Sequence, residues 1–212
     1  MMKKLKGISL MAKRGAFICI EGIDASGKTT QAKILVRKLR RKGIDAAYTT
    51  EPSRGKVGTF IRRYILDREK RVPTTLEALL FAADRVDHLE NEVKPALEKG
   101  RIVVCDRYVY SSIAYQGAAG LNLDWIQCIN QFALVPDLAV FLDVSPEIVL
   151  TRLKRKKTVM ETSANLQKVR EIYLQMVRDG RMIMLKGDKP IKDLAEDIQK
   201  VVLAFLERLH AL

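Results

Sequence analysis

Residues 22 to 30 read GIDASGKTT and follow the apolar run AFICI at 16 to 20. Gly22, Gly27, Lys28 and Thr29 match G-x-x-x-x-G-K-[ST], the spacing by which a loop surrounds nucleotide phosphates. Glycines at 22 and 27 permit backbone turns closed to residues with a Cβ, so the N–H groups of Ile23, Asp24, Ala25, Ser26 and their neighbours through Thr30 can point at one anion. Lys28 adds a full positive charge beside the β and γ phosphates, and the Thr29 hydroxyl is a Mg²⁺ ligand. Downstream, Ala32, Leu35, Val36 and Leu39 recur at helical spacing before Gly43. A helix opening near Lys28 aims the positive end of its dipole at the same phosphates. Strand, loop and helix together predict a site for a nucleoside triphosphate bound with Mg²⁺.

The chain has 212 residues, 48% of them hydrophobic, and no Pro/Gly/Ser-rich linker divides it. That is enough to bury one substantial core, so the expectation is a flexible basic tail over residues 1 to 15 and a single domain over 16 to 212. The tail, MMKKLKGISLMAKRG, begins like a secretion signal, but its apolar stretch is short and broken by lysine and glycine. No run approaches the roughly 20 apolar residues of a membrane span, and a cytoplasmic protein is expected. Cys19, Cys105 and Cys128 are far apart, which suggests neither a disulfide framework nor a zinc site. The net charge of +13 invites a nucleic-acid reading. Its lysines and arginines are scattered over helix faces without interleaved aromatics, so a nucleic-acid partner is not expected.

Four further strand candidates follow: DAAYTT at 45 to 50, RIVVCD at 101 to 106, DLAVFLD at 137 to 143 and RMIMLK at 181 to 186. Five apolar strands alternating with helical stretches predict an α/β fold whose parallel sheet is covered on both faces. Pro73 and Thr74 open a long amphipathic stretch ending at Gly100, with Pro95 expected to bend it or start its last turn. Ser145, Pro146 and Glu147 read as cap, first-position proline and first-turn acid. Ligands of such sheets collect beyond the carboxyl ends of the strands. The segments TEPSRG, DRYVYSSIAYQG and LDVSPE should therefore face one cleft with the phosphate loop.

Five stretches carry a resemblance: FICIEGIDASGKTTQ, TEPSRGKVGTFIRRYIL, LLFAADRVDHLENEVKPALEKG, VVCDRYVYSSIAYQG and PDLAVFLDVSPEIVLTRLKRK. In order and spacing, across most of residues 16 to 180, they resemble thymidylate kinases, P-loop nucleoside monophosphate kinases that phosphorylate dTMP with ATP. The resemblance implies a P-loop kinase fold and a homodimer. It implies that Arg107 and Arg62 hold the acceptor phosphate, that Phe81 stacks on the base and that Arg85 donates to a thymine carbonyl. Tyr115 would exclude a ribose 2′-hydroxyl, Ser112 and Gln116 would lie near the base edge, and Glu51 and Pro52 would belong to the acceptor site. Asp24 would stand near the acceptor 3′-hydroxyl and the metal shell, with Glu21 supporting the loop.

An acceptor phosphate is itself the nucleophile, so the expected catalysis is positioning plus charge neutralisation. Lys28 and Mg²⁺ serve the donor and Arg107 the acceptor, while Asp106, with Thr29, orders the metal or its waters, or else Arg107. With Ala25 and Ser26 in the loop, no arginine is available there, and a lid at about 152 to 163 must supply it. Arg152 and Arg155 are the candidates, beside Lys156 and Lys157. Two stretches depart from the family pattern: KTVMETSANLQ after the lid is poor in charge, and Thr50 stands where many members have arginine. A kinase for dUMP, UMP or another monophosphate is the alternative reading, and a nucleic-acid-coupled ATPase a more distant one. A regulatory GTPase would require an N-K-x-D segment, which is not found.

Overall fold

The computed structural model describes residues 15 to 66, 72 to 153 and 162 to 210. Residues 1 to 14 of the expected tail and most of the expected lid, including Arg155, Lys156 and Lys157, lie outside the described residues, whereas Gly15 is buried and donates its N–H to Leu97 O at 3.2 Å, so it belongs to the domain and not to the tail.

Five strands, β1 (Ala16–Glu21), β2 (Ala46–Thr50), β3 (Ile102–Asp106), β4 (Leu138–Asp143) and β5 (Ile183–Lys186), form one sheet in the order β2-β3-β1-β4-β5. Every neighbouring pair is parallel, with Cys19 opposite both Cys105 and Ala139. The central strand β1 is buried at all six positions, as a strand covered on both faces must be. Helices α1 (Lys28–Arg41) and α9 (Ile191–His210) cover one face through Leu35, Leu39, Ile198 and Val202. On the other face lie α3 (Thr74–His88), α5 (Val109–Ala118), α6 (Leu123–Ile129) and α8 (Ser163–Arg178), packed around Phe17, Phe141, Tyr108 and Tyr173. Two short helices, α2 (Lys56–Phe60) and α7 (Pro146–Arg152), follow β2 and β4.

Three expectations change in detail. The fifth strand is shorter than the run RMIMLK, and Ile183 and Met184 are exposed because β5 is an edge strand, not a covered one. The long amphipathic stretch widens into a π-helical turn at Leu89–Val93 and resumes as α4 (Lys94–Glu98). Pro95 lies in the first turn of α4, where its missing N–H costs nothing, so it starts the last segment. Ser145 is the residue before α7, but its hydroxyl turns to the Glu147 carboxylate and makes no bond to the helix backbone.

Cys19 and Cys105 are buried on adjacent strands, and burial pushes both thiols up, so they serve as small core residues. Cys128 is exposed.

Candidate active site

The phosphate loop leaves β1 at the centre of the sheet. Gly22 has φ +150°, and a Cβ there would lie 2.6 Å from Ser26 Oγ and 2.9 Å from Leu142 O. Gly27, the residue before α1, has φ +97°, a left-handed turn that favours glycine. Ala25 shares that region at φ 55°, an uncommon conformation for a residue with a Cβ and one concentrated at functional sites. Ile23 and Ser26 are buried, whereas Thr29 and Thr30 are exposed on the first turn of α1. The Lys28 ammonium folds back onto its own loop, donating to Ile23 O at 2.6 Å and more weakly to Ser26 Oγ at 3.4 Å. Burial, helped by the nearby Arg107 guanidinium, pushes its pKa down to about 8. An anion in the loop would favour the protonated form.

The end of β3 supplies the next layer. Arg107 has φ 69°, again left-handed, and this turn carries its side chain back over the phosphate loop. Its Nη2 donates to Asp24 Oδ1 at 2.7 Å and its Nη1 to Ser111 Oγ at 3.1 Å. The sequence left open an ion pair between Arg107 and Asp106; Arg107 is paired with Asp24 instead. Asp106 accepts from the Thr29 hydroxyl through Oδ2, while its buried Oδ1 has no partner among the described residues. Tyr48 also approaches Oδ2, at 3.4 Å. Behind the loop, the wholly buried Glu21 accepts from the Tyr108 N–H at 2.8 Å, the Ser111 hydroxyl at 2.7 Å and the Tyr173 hydroxyl at 2.8 Å. Burial pushes the Glu21 carboxyl up, opposed by the Ser111 and Tyr173 hydroxyls.

The residues expected at the acceptor lie between two helices. Glu77, Phe81, Arg85 and His88 share one face of α3, and Ser112 and Gln116, four residues apart, share the facing side of α5. Two rungs join the helices: Arg85 Nη2 donates to Ser112 Oγ at 3.1 Å, and Gln116 Nε2 donates to Glu77 Oε1 at 3.2 Å. Phe81, half-buried, stands between the rungs on α3.

Arg85 is 2% exposed, and a buried guanidinium must have its donors met. Its Nε and Nη2 both reach Glu51 Oε2, at 3.0 and 2.7 Å, and Nη1 donates to Asn130 Oδ1. With Ser112 these take four of the five N–H groups, which leaves one on Nη1 without a partner among the described residues. Glu51 is held in turn by His88, whose other ring nitrogen meets Thr49 Oγ1 at 2.7 Å. The Gln116 carbonyl oxygen is buried and finds no partner among the described residues. Among the described residues, one donor and one acceptor thus remain on buried side chains of the two facing helices.

Tyr115 joins this pocket to the phosphate loop. Its hydroxyl donates to Asp24 Oδ2 at 3.0 Å and accepts from Asp24 N at 2.9 Å, and the Arg107 guanidinium lies 5.1 Å from its ring centre. Arg62, expected at the acceptor phosphate, is exposed and directs its guanidinium to the carbonyls of Pro52 and Ser53. Arg152 is exposed at the end of α7, 3.4 Å from Gly187 O.

Sequence reasoning missed several members of these networks. Asp84 takes the Ser53 N–H and hydroxyl at 2.6 and 2.5 Å and so shapes the loop after β2. Glu77 and His88 were detectable in principle, because polar residues on the same helix face as Phe81 and Arg85 signal a polar lining. Asn130, Ser111 and Tyr173 carried no local signal.

Residues 20 to 198 match the family model described as thymidylate kinase. A probable thymidylate kinase of Pyrococcus horikoshii is 42% identical over 197 residues, covering 89% of this chain and 96% of the relative. A probable thymidylate kinase of Staphylothermus marinus is 40% identical over 196 residues, with 91% and 96% covered. The thymidylate kinase of Caldanaerobacter subterraneus subsp. tengcongensis is 37% identical over 203 residues, with 92% and 98% covered. With the phosphate loop on β1, the arginine-bearing turn after β3 and a match across most of its length, this chain belongs to the thymidylate kinase family.

Proposed function

We propose that the protein transfers the γ-phosphoryl group of ATP to dTMP, giving dTDP and ADP. The observation that carries this reading is the pair left on the facing helices, one N–H of Arg85 and the carbonyl oxygen of Gln116. A donor beside an acceptor complements the 4-carbonyl and N3–H of thymine or uracil, and a base between them can stack on Phe81. Family membership favours the methyl-bearing base. Tyr115, tied to Asp24, is the steric element that favours deoxyribose.

The acceptor phosphate, with a second pKa near 6, is largely dianionic at neutral pH and needs no strong base. One of its oxygens forms a bond to the γ-phosphorus while the bond to the β–γ bridging oxygen breaks, and ADP leaves with that oxygen. Lys28 meets the donor phosphates together with the loop N–H groups of residues 22 to 30. Arg107, oriented by Asp24 and Ser111, meets the acceptor phosphate, with Arg62 as a second guanidinium once it leaves its loop carbonyls. Thr29 and Asp106 suit a hard cation: an exposed hydroxyl stands beside a carboxylate whose other oxygen is buried and unpartnered among the described residues. Mg²⁺ held there with the nucleotide would neutralise charge on the β and γ oxygens. The remaining positive charge over the transferring group is assigned to the expected lid, whose candidate among the described residues is Arg152 at the end of α7; the other candidate, Arg155, lies outside them.

We assign the protein to the cytoplasm, as a single catalytic domain; no helix among the described residues is long and apolar enough to cross a membrane. We also propose a homodimer. Leu76, Leu79 and Val86 are 44%, 46% and 44% exposed and, with Ala83, form a stripe on the side of α3 opposite Glu77, Phe81 and Arg85. A second copy of the same stripe is self-complementary to it. The catalytic proposal is tested by incubating the purified protein with dTMP, ATP and Mg²⁺ and following dTDP by chromatography. Equimolar dTDP and ADP are expected, and ADP formed without dTDP would refute the reading.

A further inference from the structure

We propose that Glu77 sets the hydrogen-bond polarity of the acceptor-base site without touching the base, by fixing which end of the Gln116 amide faces it. The inference rests on the dTMP reading above. Gln116 and Glu77 are 3% and 9% exposed, and the amide nitrogen Nε2 lies 3.2 Å from Glu77 Oε1. An ionised carboxylate offers only acceptors, so it takes the NH₂ end of an amide and repels the carbonyl end. The amide is thereby turned with its oxygen away from Glu77, and that oxygen is the buried atom without a partner among the described residues. Glu77 lies four residues before Phe81 and eight before Arg85 on one face of α3, so its rung and the Arg85–Ser112 rung bracket Phe81.

The consequence is chemical selection. Thymine presents an N–H at N3 and a carbonyl at C4, whereas cytosine presents a bare acceptor nitrogen and an amino group. The carbonyl oxygen of Gln116 accepts from the first and repels the second. With the amide reversed, its NH₂ would donate to cytosine N3 instead. Arg85 would still oppose the cytosine amino group, so reversal erodes the preference for thymine and does not invert it. Glu77 is thus a positioning residue for base specificity. A glutamine at 77 has a donor and an acceptor of its own and satisfies Gln116 in either orientation.

The test compares kcat/KM for dTMP and dCMP in wild type, Glu77→Gln, Glu77→Leu and Glu77→Asp, with melting temperatures to confirm folding. We expect the dTMP:dCMP ratio to fall about tenfold or more in Glu77→Gln and Glu77→Leu, mostly through KM for the acceptor, while KM for ATP holds. Glu77→Asp keeps an acceptor-only group and retains the ratio within about threefold. If one of the two substitutions unfolds the protein, the other decides. Activity that falls alike for both acceptors, leaving the ratio within about threefold, assigns Glu77 a merely structural role and overturns the proposal. A wild type that turns over dTMP with an unchanged variant ratio refutes this inference alone; a wild type that makes no dTDP refutes the dTMP reading and this inference with it.

Discussion

Tyr115 and Asp24 exchange two hydrogen bonds, hydroxyl to carboxylate at 3.0 Å and backbone N–H to hydroxyl at 2.9 Å, across 91 residues of sequence. The residue proposed to sense the sugar is therefore fastened to the loop proposed to hold ATP. Asp24 is also the partner of Arg107, so one carboxylate aligns elements from β1, β3 and α5. Burial first, and then the Asp24 charge, pushes the Tyr115 phenol up, and it stays a neutral donor across the working pH range.

Separate roles for the ring and the hydroxyl follow. Tyr115→Phe removes both bonds to Asp24 and should lower kcat/KM for dTMP about tenfold or more, since bonds to charged groups contribute about 1.5–3 kcal/mol. The ring remains, so the preference for dTMP over UMP should persist. Tyr115→Ala removes the ring too and should narrow that preference by raising UMP turnover relative to dTMP. Steady-state kinetics with both acceptors separates the two effects.

If Lys28 meets the donor phosphates as proposed, nucleotide binding should depend on pH. Its pKa in the free protein, about 8, lies below the ordinary lysine value, so between the two the folded state holds fewer protons than the unfolded state. The contribution of this group to stability therefore rises with pH through that window. A bound polyphosphate reverses the preference, and at pH 8 ATP binding should take up about half a proton through this group. Calorimetry in buffers of different ionisation enthalpy measures that uptake, which should shrink towards pH 7 and vanish in Lys28→Met.

The stripe on α3 makes assembly separable from chemistry only in part, because its opposite face carries Phe81 and Arg85. Leu76→Glu combined with Leu79→Glu should convert a dimer to a monomer in light scattering. KM for dTMP should rise more than KM for ATP, since the proposed acceptor site is on α3 and the glycine-rich loop follows β1.

Much of this was legible from local pattern. The apolar runs located the strands because parallel strands are buried on both faces, and glycine and lysine spacing located the phosphate loop. The edge position of β5 was not legible, because an apolar run does not reveal whether a further strand will cover it. Phe81 and Arg85 could be placed on one face by their spacing, but the buried acceptors that immobilise Arg85, the Glu51 carboxylate and the Asn130 amide oxygen, come from the segments after β2 and α6. Glu51 is 34 residues away and Asn130 is 45. Tyr173 reaches Glu21 over 152 residues, a contact that no periodicity encodes. The role of Arg107 at the acceptor phosphate is implied by the resemblance of DRYVYSSIAYQG to the family. Its left-handed backbone and its pairing with Asp24, which decide where the guanidinium goes, required the fold.

The central claim is that Arg85 and Gln116 read the thymine edge, and the most direct test is a comparison of kcat/KM for dTMP, dUMP, dCMP and dGMP with saturating ATP and Mg²⁺. The account predicts dTMP first and dUMP next, lower by roughly 10 to 200-fold for one lost methyl contact. It places dCMP well below dUMP, because both edge groups of cytosine oppose the pair, and dGMP at background. A protein that phosphorylates dCMP as well as dUMP would contradict the account, whatever its rate with dTMP.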